Sequence, residues 1–200
     1  MERLKEETNI AYYAILKLLH ELNNTPIYGN LKLQKELFLI IQNFPGLKKI
    51  FQFESYFLGP HCFEIDTYIK ELNQLELIDI SKKKYQINQK GIMLIEYWEE
   101  KFLTDKEKLV KIDKIFSRIK KFLNDIGKNE LLSFIYTNYP SFRTESVEYE
   151  DLKNDFKMYL ISLYKKNKIT IGKIAESLKV PFEDIYEELK KKGLIELPNF

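Results

Sequence analysis

Two clusters in this chain are of residue types that could do chemistry: His61-Cys62 followed by Glu64 and Asp66, and the run Lys82-Lys83-Lys84. The first invites a metal or thiolate reading. A zinc site needs about four ligands at a recognisable spacing, and one cysteine beside one histidine supplies at most half of them. Side chains of adjacent residues point apart, so His61 is poorly placed to activate Cys62, and the other histidine, His20, lies far upstream. No glycine-rich phosphate loop, nucleophile elbow or zinc-protease helix motif occurs. The expectation is a protein with no catalytic residue, no metal and no cofactor, hence not an enzyme. The lysine run reads differently. Lysine neutralises phosphate charge without reading base sequence, so three lysines at a turn are candidate contacts to a nucleic-acid backbone.

Charge sets the scale of any such contact. The net charge is only +2, and it divides into −2 over residues 1–100, +1 over 101–152 and +3 over 153–200. No global basic field exists, so nucleic-acid binding must come from local patches. The single cysteine excludes an intrachain disulfide and fits a reducing cytoplasm. No apolar run approaches the roughly 20 residues of a membrane helix, and the charged N-terminus does not read as a signal peptide. The expected location is cytoplasmic, with no membrane partner.

The elements that must position these residues follow from periodicity. Ile10, Ala14, Leu18 and Leu22 give a helix over 9–22 one apolar face, and Asn23-Asn24-Thr25-Pro26 stops it. A second helix, 30–43, buries Leu33, Leu37, Ile40 and Ile41. Residues 51–57 alternate enough to be a short strand, and Gly59-Pro60 then turns the chain into a helix over 62–74 with Ile65, Ile69 and Leu72 inward. Residues 77–80 and 85–88 flank a four-residue polar turn, the pattern of a β-hairpin with the lysines at its tip. A helix over 90–102 follows. Leu109, Ile112, Phe116, Ile119, Leu123 and Ile126 then alternate spacings of three and four, a coiled-coil-like seam. Shorter helices are expected over 130–139 and 151–166. Residues 170–178 and 182–192 pair around Lys179-Val180-Pro181 as a helix-turn-helix. The 13 tyrosines and 14 phenylalanines could stack on bases, but in-register residues such as Phe156 and Tyr159 fit core packing.

One stretch is similar to a known group. Leu33-Gln34-Lys35 with Leu37-Phe38-Leu39, then Phe53, Tyr56, Leu58-Gly59-Pro60, and Leu72 with Leu77-Ile78, resembles the Panacea-type and YwgA-like winged-helix families. The resemblance covers about residues 27–100 and extends more loosely towards 148. It implies a winged-helix fold and a role as a regulator or an antitoxin-like interaction domain. The chain departs from the pattern at His61-Cys62, where Tyr-Ser is common, and at Glu76, where Gly is common.

The fold expected is therefore mainly α: a winged helix-turn-helix with a small β-hairpin over 1–103, a helical middle over 104–150, and a C-terminal helix-turn-helix over 151–200. The expected function is a transcriptional regulator that contacts duplex DNA through Lys82, Lys83, Lys84, Lys32 and Lys35, with Lys173 and Lys179 from the C-terminal unit. The rival is an antitoxin-like or adaptor module docking a basic protein, because both candidate recognition helices carry carboxylates: Glu64, Asp66 and Glu71 in one, Glu183, Asp184, Glu187 and Glu188 in the other. Acidic residues suit a helix's first turn but repel phosphate. The apolar 109–126 seam is fit to bury against either another subunit or the rest of the chain, and a homodimer is the favoured expectation.

Overall fold

The computed structural model describes residues 2–124, 126–152 and 154–195. It is mainly helical with one small antiparallel sheet, and it divides into two compact units, Met1–Gly127 and Lys128–Phe200.

In the first unit, α1 (Glu2–Asn24) buries Ala11, Ala14, Ile15, Leu18 and Leu19. Ile10, expected inward, stands outside that stripe and is exposed. The helix unwinds at Glu21, and Leu22, Asn23 and Asn24 take left-handed φ values. The carbonyls freed at this end need donors. The fully buried Lys120 supplies them, donating from Nζ to Leu18 O at 2.9 Å, Leu19 O at 3.2 Å and Glu21 O at 2.8 Å.

Strand β1 (Ile27–Tyr28) is too short to leave a period in the sequence and was not expected. After it come α2 (Asn30–Gln42), a 3-10 turn at Leu47–Lys49, and α3 (Phe63–Gln74) with Ile65, Ile69 and Leu72 inward. The expected strand over 51–57 is reduced to one bridge between Glu54 and His61, because the turn at Gly59-Pro60 folds the segment back on itself. Strands β2 (Ile78–Ser81) and β3 (Lys84–Ile87) form the hairpin, and β1 joins its free side, giving the order β1-β3-β2. Ile27 pairs with Tyr85 and Tyr28 with Lys84; on the other side Ile78 pairs with Ile87. Helix α4 (Gln89–Phe102) starts at Asn88, whose side chain accepts from Gly91 N at 3.2 Å. A Cβ at Gly91 would lie 2.3 Å from Leu77 O, so the close approach of α4 to the hairpin base requires glycine there.

Helix α5 (Lys106–Asn124) completes this unit. Its seam faces inward: Phe116 and Leu123 are buried, and Ile112 and Ile119 pack on the core built by α1 and α2. The buried Lys17 ties it further, with Nζ 2.8 Å from Glu99 of α4 and 2.6 Å from Asp113 of α5. The compact units divide at 127/128, where the sequence pattern put boundaries at 103/104 and 150/151, and the apolar seam packs on its own unit, one of the two fates open to it.

The second unit has α6 (Lys128–Asn138), a 3-10 turn at Pro140–Arg143, α7 (Tyr149–Leu152), α8 (Asp155–Lys165), α9 (Ile171–Leu178) and α10 (Phe182–Lys191). The helix expected over 151–166 is thus split in two. Phe156, Leu160, Ile161, Ile174, Ala175, Ile185 and Leu189 form its core. Thr170 caps α9, accepting from Lys173 N at 3.2 Å, and Lys179 ends it in left-handed conformation before Pro181 opens α10.

Candidate nucleic-acid interface

The hairpin tip is tighter than its sequence pattern predicts. The turn is two residues, Lys82 and Lys83, with φ of +48° and +64°, and Lys84 already belongs to β3. A two-residue turn that matches strand twist needs positive φ at both positions, and Asn-Gly meets that need with least strain. Lysines here hold backbone that favours glycine or asparagine. Lys82 and Lys83 are exposed, and Lys84 is half-buried. Gly29 N donates to Lys83 O at 2.8 Å, which anchors the tip to the start of α2.

Helix α3 lies beside this hairpin. At the base, Leu77 N donates to Leu72 O at 2.9 Å. Towards the tip, Asn30, next to Gly29, donates from Nδ2 to Asp66 Oδ1 at 3.0 Å. The apolar period of α3 turns Ile65, Ile69 and Leu72 inward, so Phe63, Glu64, Thr67, Lys70, Asn73 and Gln74 face out. Two of its three carboxylates are drawn into the fold. Asp66 accepts from Asn30, from Gln34 Nε2 at 3.1 Å, and faces His61 Nε2 at 3.1 Å. Glu71 accepts from Tyr12 OH at 2.7 Å, and burial, reinforced by that bond, pushes the Tyr12 phenol up to about 12. The outward face therefore carries Lys70 and polar side chains, with Glu64 at its N-terminal edge. The spacing of Ile65, Ile69 and Leu72 made this face readable in the sequence; the inward partners of Asp66 and Glu71 were not readable.

Four of the seven lysines proposed from sequence have partners within the fold. Lys35 is buried, its Nζ donating to Pro60 O at 2.7 Å, and burial lowers its pKa to about 7. It is a structural group, because its place on α2 is on the buried side. Lys32 donates to Asn124 Oδ1 at 3.2 Å and lies 4.0 Å from the buried Glu36. Lys173 is exposed but paired with Glu176 at 2.9 Å, and Lys179 reaches Asn138 O at 3.4 Å.

The loop before α3 is braced from below. Gln34 clasps Cys62, with Nε2 donating to Cys62 O at 3.0 Å and Oε1 accepting from Cys62 N at 3.1 Å. Glu54 and His61 exchange backbone bonds of 2.9 and 3.0 Å. Together with Lys35 on Pro60, these bonds hold a buried turn whose polar backbone would otherwise lack partners. The Cys62 thiol donates to Glu64 Oε2 at 3.1 Å, and burial raises it to about 12, which keeps it protonated. His61 meets Asp66 rather than the thiol. Also on α2, Glu36 is fully buried, with neither carboxylate oxygen hydrogen-bonded, and burial pushes its carboxyl up to about 8. Among the described residues, no group of three or more His, Cys, Asp or Glu side chains is placed to hold a metal ion, and no helix is long and apolar enough to cross a membrane.

Set against models of known families, against curated proteins and against solved structures, the chain matches none of them.

Proposed function

We propose that residues 1–103 form a winged helix that contacts duplex DNA and that the protein is a cytoplasmic regulator of the Panacea-type and YwgA-like kind. The element order α1-β1-α2-α3-β2-β3 with strands ordered β1-β3-β2 is the arrangement a winged helix uses, and it supports this reading. The observation that carries it is the hairpin tip. Lys82 and Lys83 occupy two positions whose left-handed backbone other residues would fill with less strain, and both side chains are exposed. Strain kept at an exposed, charged turn points to a use for the charge. In this reading Lys82, Lys83 and Lys84 neutralise phosphates, Lys70 adds a contact from α3, and Thr67, Asn73 and Gln74 face base edges.

Fluorescence anisotropy with a random 20-base-pair duplex at low salt tests this reading. Reversing the one outward lysine of α3, Lys70→Glu, is expected to weaken binding several-fold for every sequence. Equal binding by the wild type and this variant would remove α3 from the interface.

A second reading applies to the C-terminal unit. On α10, Glu183, Asp184 and Glu187 stand exposed, while the lysines come only at its far end. That face repels phosphate and suits a basic protein surface, as an adaptor or antitoxin-like module would use.

A further inference from the structure

The braced loop shows solvent three aromatic side chains. Tyr56, Phe57 and Phe63 are 38%, 56% and 51% exposed. They form one cluster: the Tyr56 ring lies 4.6 Å from Phe57, 5.1 Å from His61 and 5.6 Å from Phe63, and His61 lies 4.6 Å from Phe63. Single exposed apolar residues need no explanation, but a contiguous cluster on a preorganised loop does. The bonds from Gln34, Lys35 and Asp66 fix the loop before any partner arrives, so binding would order little further chain.

Charge identifies the occupant. From residue 50 to residue 69 the chain has no lysine or arginine, and it carries Glu54, Glu64 and Asp66. Glu54 and Glu64 are exposed and flank the ring-bearing residues in the sequence. A phosphate backbone would be repelled here. A guanidinium is favoured twice, by the ring faces and by the carboxylates, and its weak hydration lets it leave water more easily than an ammonium does. We infer that the 54–63 loop is a docking surface for an arginine-bearing segment of a partner protein. The rings take the guanidinium plane, and Glu64 or Glu54 takes its charge. This surface rests on the rings and carboxylates of the loop and stands whether or not the hairpin lysines bind duplex.

The probes are fluorescein-labelled hexa-arginine and hexa-lysine peptides, with a labelled ten-residue oligothymidine as the third arm, each titrated into the full chain. Hexa-arginine should bind more tightly than hexa-lysine. Phe57→Ser with Phe63→Ser, and separately Glu64→Gln, should each weaken the arginine peptide about tenfold. Glu64→Gln alters an exposed group and keeps the test valid if the double serine variant unfolds. Equal binding of the two peptides, or arginine binding that none of the loop variants changes, would overturn the proposal. Loop-dependent binding of the oligothymidine without the arginine peptide would also overturn it and assign the rings to base stacking.

Discussion

Helix α3 begins with Glu64 and Asp66, and helix α10 begins with Glu183 and Asp184, so both complement their helix dipoles in the same way. They differ in what lies beneath. Under and around α3, Asn30, Gln34 and Tyr12 draw Asp66 and Glu71 into hydrogen bonds. On α10 only Glu188 is drawn away, by Lys157 and Lys192, and Glu183, Asp184 and Glu187 remain on the surface. The two units differ in the same sense. Among the described residues the first buries Lys17, Gln34, Lys35, Glu36 and Lys120, and the second buries only Ser133 among polar side chains. A helix's charge count thus says little about its surface until each carboxylate is assigned a partner.

The sharpest way to break this comparison is to remove the polar layer under α3. Gln34→Leu leaves the buried backbone N–H of Cys62 without a partner, while Cys62 O keeps its bond from Ile65 N. It is expected to cost about 1–3 kcal/mol in urea unfolding, the cost of one orphaned buried group. Glu188→Gln, the matching change on α10, should cost less than about 1 kcal/mol because its ion pairs are partly exposed. Similar costs for the two would mean that the units are not built differently.

Glu36 sharpens the point through pH. Its carboxyl is held up at about 8, so the folded chain keeps a proton that the unfolded chain gives up near pH 4.5. The stability this contributes is fully present below about pH 4.5 and is lost as pH rises towards 8. Lys35 and Lys120, lowered by burial to about 7 and 8, add stability only as pH climbs above those values. Between pH 5 and pH 7 the wild type should therefore lose about 1–3 kcal/mol relative to Glu36→Gln. A difference that does not change with pH would show Glu36 ionised and paired with Lys32.

Smaller effects separate charge from strain. Replacing Lys82 by Asn together with Lys83 by Gly should stabilise the hairpin by about 0.5–1 kcal/mol, because both positions have positive φ. The same change should weaken duplex binding, so stability and binding move in opposite directions. Thermal unfolding and anisotropy on one sample check both. The smallest effect is expected on α10, where Glu183→Lys with Glu187→Lys should shift stability by no more than about 0.5 kcal/mol. A larger loss would mean that these side chains hold part of the fold.

The helices α2, α3, α4, α9 and α10 were legible in the sequence because their apolar residues recur at helical spacing, and Asn88 and Thr170 mark the starts of α4 and α9. Strand β1 was not legible, since two residues carry no period and its partner lies far along the chain. The seam of α5 was legible as apolar, but a second copy and the chain's own core were both open to it, because periodicity shows that a face is buried and not what buries it. The site was half legible. Lys82 to Lys84 stood out as a run, whereas Lys35 looked like its neighbours until the loop carbonyl it serves was in place. The aromatic loop was hidden among many tyrosines and phenylalanines whose composition fits a core equally well.

The central claim is that the hairpin lysines contact phosphates, and the salt dependence of duplex affinity tests it most directly. With Lys82, Lys83 and Lys84 all changed to Ala, the slope of log affinity against log salt should flatten by about 2–3 units, similarly for every sequence. A slope that matches the wild type would contradict the claim and leave the hairpin without a role in nucleic-acid binding.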